Sequence, residues 1–170
     1  MQYGDNKPKY IRWAVYAALL AASVLMQNSV GGLKNIFSIS IFLAIPVLVS
    51  ISMFERELPA AALGAFAGIL WDISSGFDGF NALVLALIGA LCSLLISHFM
   101  RNNLVTALVL CAGGTVAYSL VYGIVNLING GFSFRNIFVF YLPAIVLTVA
   151  VMPMGYGLVK IIFNSFKTTE

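Results

Sequence analysis

The sequence predicts an all-α integral membrane protein with six transmembrane helices, because its charged residues are few and widely spaced. The long stretches without Asp, Glu, Lys or Arg are 21 residues between Arg12 and Lys34, 20 between Lys34 and Glu55, 22 between Asp78 and Arg101, 33 between Arg101 and Arg135, and 24 between Arg135 and Lys160. A helix needs about 20 apolar residues to cross a hydrocarbon core of about 30 Å. The composition agrees, with 61% hydrophobic residues, 9% charged residues and a mean hydropathy of +1.01. A soluble domain of this size cannot bury so much apolar surface.

The whole chain, 1–170, is expected to form a single transmembrane domain, since six crossings leave no room for a soluble one. The predicted spans are 11–30, 36–54, 58–75, 79–100, 104–128 and 137–163. The third is the shortest between charges, with 14 residues between Glu57 and Asp72.

The distribution of Lys and Arg predicts that both termini are cytoplasmic. With six crossings, the inner side carries seven basic residues: Lys7, Lys9, Arg12, Arg56, Arg101, Lys160 and Lys167. The outer side carries two, Lys34 and Arg135. If the third span did not cross, the division would be five against four, so the positive-inside rule favours six helices.

The residue types present argue against several functional classes. The basic residues stand at helix ends and form no patch, so nucleic acid is not an expected partner despite a net charge of +3. Cys92 and Cys111 fall inside predicted spans and are expected to be packing residues. His98 is the only histidine. No catalytic grouping, metal-ligand spacing or phosphate loop can be assembled, so we expect no enzyme activity, cofactor or metal.

The third predicted span combines small residues with an intramembrane carboxylate. Gly64, Gly68 and Asp72 follow one another at four-residue spacing, so they share one helix face. Small residues at this spacing allow another helix to approach closely. The face is therefore expected to pack against a neighbouring helix or to receive the single transmembrane helix of a partner.

A carboxylate at membrane depth needs a partner. Asn81, Arg135 and Lys34 are the candidates we expect near Asp72, with Ser74 and Ser75 at the same level. Two interpretations of Asp72 stay open. It belongs to a binding or assembly site, or it fastens the outer turn by capping or pairing. Gly76 is expected to stop the third helix, and Asp78 to cap the fourth.

One block of this region consists of Gly64, Gly68, Asp72, Gly76 and Gly79, followed by Phe-Asn-Ala-Leu. The block resembles the signature of the MreD family of bacterial rod-shape-determining membrane proteins. Three further segments are similar to family features: Leu25-Met-Gln27-Asn-Ser, Phe54-Glu-Arg56-Glu and Tyr141-Leu-Pro143. The resemblance extends over nearly the whole chain, and the block from Gly64 to Gly79 is its specific part.

This resemblance implies a non-enzymatic scaffold of the cell-wall elongation machinery in the bacterial cytoplasmic membrane, which maintains rod shape. The implied partners are the single-span protein MreC, the glycosyltransferase and transpeptidase of peptidoglycan synthesis, and MreB filaments. It also implies a fold similar to the substrate-binding components of energy-coupling-factor vitamin transporters. Such a component is the alternative function, and Ala14, Ala18 and Ala22 on the first helix provide the kind of face that it uses.

Overall fold

The computed structural model describes residues 7–28, 42–75, 79–99, 102–128 and 142–165. Within these ranges all regular secondary structure is helical. The six helices are α1 (Lys7–Asn28), α2 (Ala44–Ser52), α3 (Glu57–Ser75), α4 (Phe80–His98), α5 (Leu104–Ile128) and α6 (Leu142–Ser165). The predicted all-helical fold is confirmed. Residues 29–30, 36–41, 100 and 137–141, which belong to the predicted spans, lie outside the described part of the chain.

Four of these helices are long and apolar enough to cross a membrane. Their apolar windows are Tyr10–Asn28, Phe80–His98, Leu104–Val125 and Leu142–Ser165. The fold is therefore that of a helical, multi-pass membrane protein.

Helix α2 lies at the centre of the bundle and contacts each of the other five helices. Eight of its nine residues are buried: Ala44, Ile45, Pro46, Leu48, Val49, Ser50, Ile51 and Ser52. A helix that is apolar all round is stable only when protein or lipid keeps it away from water, and here the other five helices do so. The two serines do not disturb this, because the Ser50 and Ser52 hydroxyls donate to the carbonyls of Pro46 and Leu48, at 2.7 and 2.8 Å.

The outer helices are packed unequally around α2. The α3–α4 pair has the most extensive contact among the described helices, whereas α4 meets α5, and α1 meets α6, over small areas. The α3–α4 pair is therefore the most tightly joined part of the bundle.

The corner between α2 and α3 ties together one end of the bundle, which we call the Glu55 end. Glu55 Oε1 lies 2.7 Å from Arg12 Nη2 on α1, and the two side chains are only 5% and 14% exposed. Trp13 Nε1 donates to Glu55 Oε2 at 3.1 Å, and the Ser93 hydroxyl on α4 donates to the Glu55 carbonyl at 2.8 Å. Glu55 thus connects α1, α4 and the corner itself.

Asn102, two residues before α5, connects α5 and α6 to the same corner. Its side-chain Nδ2 donates to the Met53 carbonyl at 2.9 Å, and its Oδ1 accepts from the Tyr156 hydroxyl on α6 at 3.2 Å. Phe54 packs its ring against those of Tyr156 and Phe163. The corner therefore fixes the ends of α1, α4, α5 and α6 relative to α2.

Replacing Glu55 with Ala should lower the free energy of unfolding by about 3–5 kcal/mol, because Arg12 is left buried without its partner. Reversible unfolding in mixed detergent and dodecyl sulfate would measure this. The double variant R12A/E55A should lose less than the sum of the single changes. Arg56→Gln is the control, since Arg56 is exposed and should change stability by no more than about 0.5 kcal/mol. Equal effects of E55A and R56Q would contradict the prediction.

Candidate functional site: the α3–α4 seam and the Asp72 cluster

The face of α3 that carries Gly64 and Gly68 lies directly on the backbone of α4. A Cβ added to Gly64 would overlap the Leu85 carbonyl oxygen, and one added to Gly68 would overlap the Cα atom of Ala82. On the other side of the seam, a Cβ on Gly89 would stand 2.7 Å from the Ala60 carbonyl oxygen. The two helices therefore approach backbone to backbone, which only residues without a side chain allow at these positions.

Asp72 lies one helical turn beyond Gly68 on the same face and is 6% exposed. Its Oδ1 accepts from the Asn81 backbone N–H at 3.1 Å, and its Oδ2 accepts from the Ala82 N–H at 2.9 Å. These are the second and third residues of α4, whose N–H groups have no acceptor within the helix. The carboxylate also faces the positive end of the α4 dipole. Both oxygens are thus used to cap the neighbouring helix.

The cap is supplied from α3 because the N-cap residue that precedes α4 has no side chain. Gly79 occupies the N-cap position with a φ of 76°, and it makes no side-chain cap. Ser, Thr, Asp or Asn normally fills this position and bonds to the second or third N–H of the helix. Gly79 gives the chain its turn, and Asp72 takes over the hydrogen bonding.

Asn81 continues the polar contacts to α5. Its side chain is 2% exposed, and its Oδ1 accepts from the Tyr118 hydroxyl at 2.7 Å. The Trp71 and Tyr118 rings stack with centroids 5.3 Å apart and planes at 19°, and Phe42 packs against both. We call Asp72, Asn81, Trp71, Tyr118 and Phe42 the Asp72 cluster. It joins α3, α4 and α5 to Phe42, two residues before α2.

Two backbone N–H groups at the entry to α2 are satisfied at this same end. The Ala44 N–H donates to Gln27 Oε1 on α1 at 3.3 Å, and the Phe42 N–H donates to Thr148 Oγ1 on α6 at 3.2 Å. All five outer helices are therefore connected at the Asp72 end, as four of them are at the Glu55 corner.

The structure brings several of the sequence-predicted site residues together. Gly64, Gly68, Asp72 and Asn81 lie along one seam, and Gly79 starts α4. Asn81 meets the carboxylate through its backbone N–H, whereas its side chain bonds to Tyr118. Ser74 is exposed, and its hydroxyl donates to the Leu70 carbonyl at 2.6 Å. Gly76, Asp78, Lys34 and Arg135 lie outside the described residues, as does the side chain of Ser75.

Within the chain, α4 occupies the glycine face for which we expected either a neighbouring helix or a partner's helix. A partner's helix cannot take the same place while α4 lies there. Gly89 of the seam was not predicted from the sequence, and neither were Trp71, Tyr118 and Phe42 of the Asp72 cluster. Ala82, Ala86 and Gly89 form a small-residue face on α4 that could have revealed the first. No local sequence pattern predicts that Tyr118 contacts Asn81.

The chemistry available at the Asp72 cluster is hydrogen bonding and aromatic packing. In the described part of the chain, no group of three or more His, Cys, Asp or Glu could hold a metal ion. Cys92 and Cys111 are buried free thiols on α4 and α5. The side chain of His98 is exposed at the other end of α4.

The fold and this cluster define the class as a multi-pass helical membrane protein. Comparison with protein-family models, curated proteins and solved structures found no match.

Gly68→Ala should lower the free energy of unfolding by about 1–3 kcal/mol, because the new methyl group forces α4 away from α3. Thermal unfolding in mild detergent would measure the loss. Gly113→Ala on α5 is the matched control, since a Cβ there meets nothing within 4 Å and the change should stabilise the helix by up to about 1 kcal/mol. Similar melting temperatures for G68A and G113A would rule out the tight seam.

Asp72→Ala should cost about 1–3 kcal/mol, because two N–H groups of α4 lose their acceptor in a buried place. Asp72→Asn keeps one acceptor oxygen and should recover part of the loss. Tyr118→Phe should couple to Asp72→Ala in a double-mutant cycle, since Asn81 connects the two side chains. Ser74→Ala, at an exposed site two residues further along α3, should change stability by less than about 0.5 kcal/mol. If D72A is tolerated as well as S74A, the cap is unimportant.

Proposed function

We propose that the chain crosses the bilayer six times, as the six predicted spans require, and that the Glu55 end faces the cytoplasm. Helix α3 has 19 residues and is about 28 Å long, close to the hydrocarbon thickness of about 30 Å. The basic residues Arg12, Arg56 and Lys160 belong to the Glu55 end, which supports a cytoplasmic location by the positive-inside rule. Both termini are then cytoplasmic.

We further propose that the protein is a non-enzymatic scaffold of bacterial cell-wall elongation that maintains rod shape. This proposal rests on the structural roles of the residues in the block that resembles the MreD signature. Gly64 and Gly68 provide the helix contact, Asp72 caps α4, and Gly79 provides the turn. A motif whose described residues build the architecture suits a protein that positions other proteins in the membrane.

The partner in this proposal is a single-span protein of the MreC type, with indirect links to peptidoglycan synthases and MreB filaments. Since α4 covers the glycine face, the partner helix needs another surface. Ala14, Ala18 and Ala22 of α1 are all exposed and stand at four-residue spacing. Small residues on a lipid-facing helix allow close approach of a second helix, so we assign the partner to this α1 face.

The alternative is a substrate-binding component of a vitamin transporter, and the same alanines favour it. Such a component would use the α1 face against its transmembrane coupling partner. The aromatic side chains of the Asp72 cluster would then lie at the outer end, where a vitamin enters. The two functions predict different molecules that copurify with the protein from the membrane.

Affinity purification from the native membrane, with mass spectrometry of proteins and small molecules, distinguishes these functions. The scaffold predicts a single-span coiled-coil protein in the eluate and loss of rod shape after depletion. A vitamin at unit stoichiometry, with normal cell shape after depletion, would reject the scaffold in favour of transport.

Ala18→Leu should reduce the recovery of the partner severalfold, because the larger side chain blocks the approach of a second helix. Ala117→Leu is the matched control, since Ala117 is an exposed alanine on α5. Both variants should melt like the unmodified protein. Undiminished recovery with A18L would exclude the α1 face as the docking surface.

A further inference from the structure

A cleft of about 640 Å³ opens at the Glu55 end between the α2–α3 corner and the last turn of α4. Its walls include Arg56, Glu57 and Leu58 from the start of α3, and Ser97 and His98 from the end of α4. Glu55 also lines it, but its carboxylate is held by Arg12 and Trp13. No ion pair engages Arg56 or Glu57 within the described residues. Neighbouring side chains of opposite charge therefore face one cavity.

The helix ends around the cleft repeat this division of charge. Helix α3 begins here, and the N-terminus of a helix is electropositive. Helix α4 ends here, and its last carbonyl groups make a C-terminus electronegative. A ligand that carries a single charge would be attracted by the groups of one sign and repelled by those of the other. A ligand with an anionic and a cationic group close together fits both.

The cleft lies at the level where the apolar spans terminate. The window Phe80–His98 ends here, and Tyr10–Asn28 starts here beside Arg12. This is the level at which lipid headgroups meet a membrane protein. Next to the cleft, Leu58 is 84% exposed, and the same face of α3 continues with the exposed side chains of Phe66 and Ile69. Leu91 and Leu94 are exposed on α4. These apolar surfaces extend from the cleft toward the membrane interior and provide contacts for acyl chains.

We propose that this cleft binds the headgroup of a zwitterionic aminophospholipid, phosphatidylethanolamine. The Arg56 guanidinium binds the phosphate, since its planar fork of donors matches two phosphate oxygens. Glu57 and the C-terminal carbonyls of α4 accept hydrogen bonds from the ammonium group. The bound lipid would fill the space between the α2–α3 corner and α4, next to the Ser93–Glu55 hydrogen bond.

Native mass spectrometry of the full chain in mild detergent tests the site, with phosphatidylethanolamine, phosphatidylcholine and phosphatidylglycerol of identical acyl chains as probes. The unmodified protein should retain the ethanolamine lipid most strongly, because the choline group has no N–H to donate and the glycerol headgroup has no cation. Arg56→Gln should weaken its retention about tenfold, the expected effect of losing a charged hydrogen-bond partner. Glu57→Gln should reduce the preference for ethanolamine over choline severalfold, because the ammonium group loses its charged acceptor and keeps only neutral ones.

Lys160→Gln is the matched control, because it removes one positive charge at the same end but outside the cleft, where Lys160 Nζ lies 5.8 Å from the Tyr156 ring centre. It should keep full retention of the ethanolamine lipid. Melting curves establish that R56Q and E57Q are folded. Equal retention by R56Q and K160Q would overturn the site.

Three other results would also overturn the proposal. Stronger retention of phosphatidylglycerol would mean that charge alone is recognised. Complete competition by soluble phosphoethanolamine or inorganic phosphate would point to a free phosphate compound instead of a lipid. A protein or peptide found in the cleft by cross-linking, with no lipid retained, would identify a different class of ligand.

Discussion

The direct contact between the backbones of α3 and α4 is the constraint on which the rest of the Asp72 end depends. Without Cβ atoms at Gly64 and Gly68, the helices come close enough for Asp72 to reach the first turn of α4. Because the carboxylate satisfies the backbone N–H of Asn81, the Asn81 side chain remains available for Tyr118 on α5. A single methyl group in the seam would therefore disturb a helix contact, a helix cap and the attachment of a third helix.

Polar interactions between helices are concentrated at the two ends of the bundle, and the central level is held by apolar packing around α2. At the central level the Ser50 and Thr115 hydroxyls donate to carbonyls of their own helices, those of Pro46 and Cys111. Ser50 adds only a weak contact to Met152 Sδ on α6 at 3.8 Å. In a bilayer core no water can satisfy a polar group, so this separation is physically required. The Arg12–Glu55 ion pair at one end and the Asp72 cap at the other set the helix directions. Van der Waals contact joins the helices between these ends.

The sequence predicts the helical fold well because charge spacing and length requirements are local properties. The interval 104–128 agrees with α5 to the residue, and the spacing of Gly64, Gly68 and Asp72 predicts their shared face. The spacing does not reveal which glycines are in contact, since Gly68 is packed against α4 while Gly113 meets nothing. Apolarity likewise does not distinguish lipid from protein as the surroundings of α2. Tyr118 is 37 residues from Asn81, and only the tertiary fold brings them together.

The orientation of the proposed docking face on α1 depends on the contacts that hold this helix at its two ends. Arg12 and Trp13 attach its beginning to Glu55, and Gln27 attaches its end to the first turn of α2. A helix fixed at both ends cannot rotate freely about its axis, so the exposed Ala14, Ala18 and Ala22 keep one orientation toward the lipid. A partner helix that meets a preoriented surface loses less conformational entropy on binding than one that must order the surface first. In the proposed complex the buried pair Arg12–Glu55 would therefore contribute to partner binding without contacting the partner. E55A should lower the recovery of the partner in affinity purification even at temperatures where the variant remains folded.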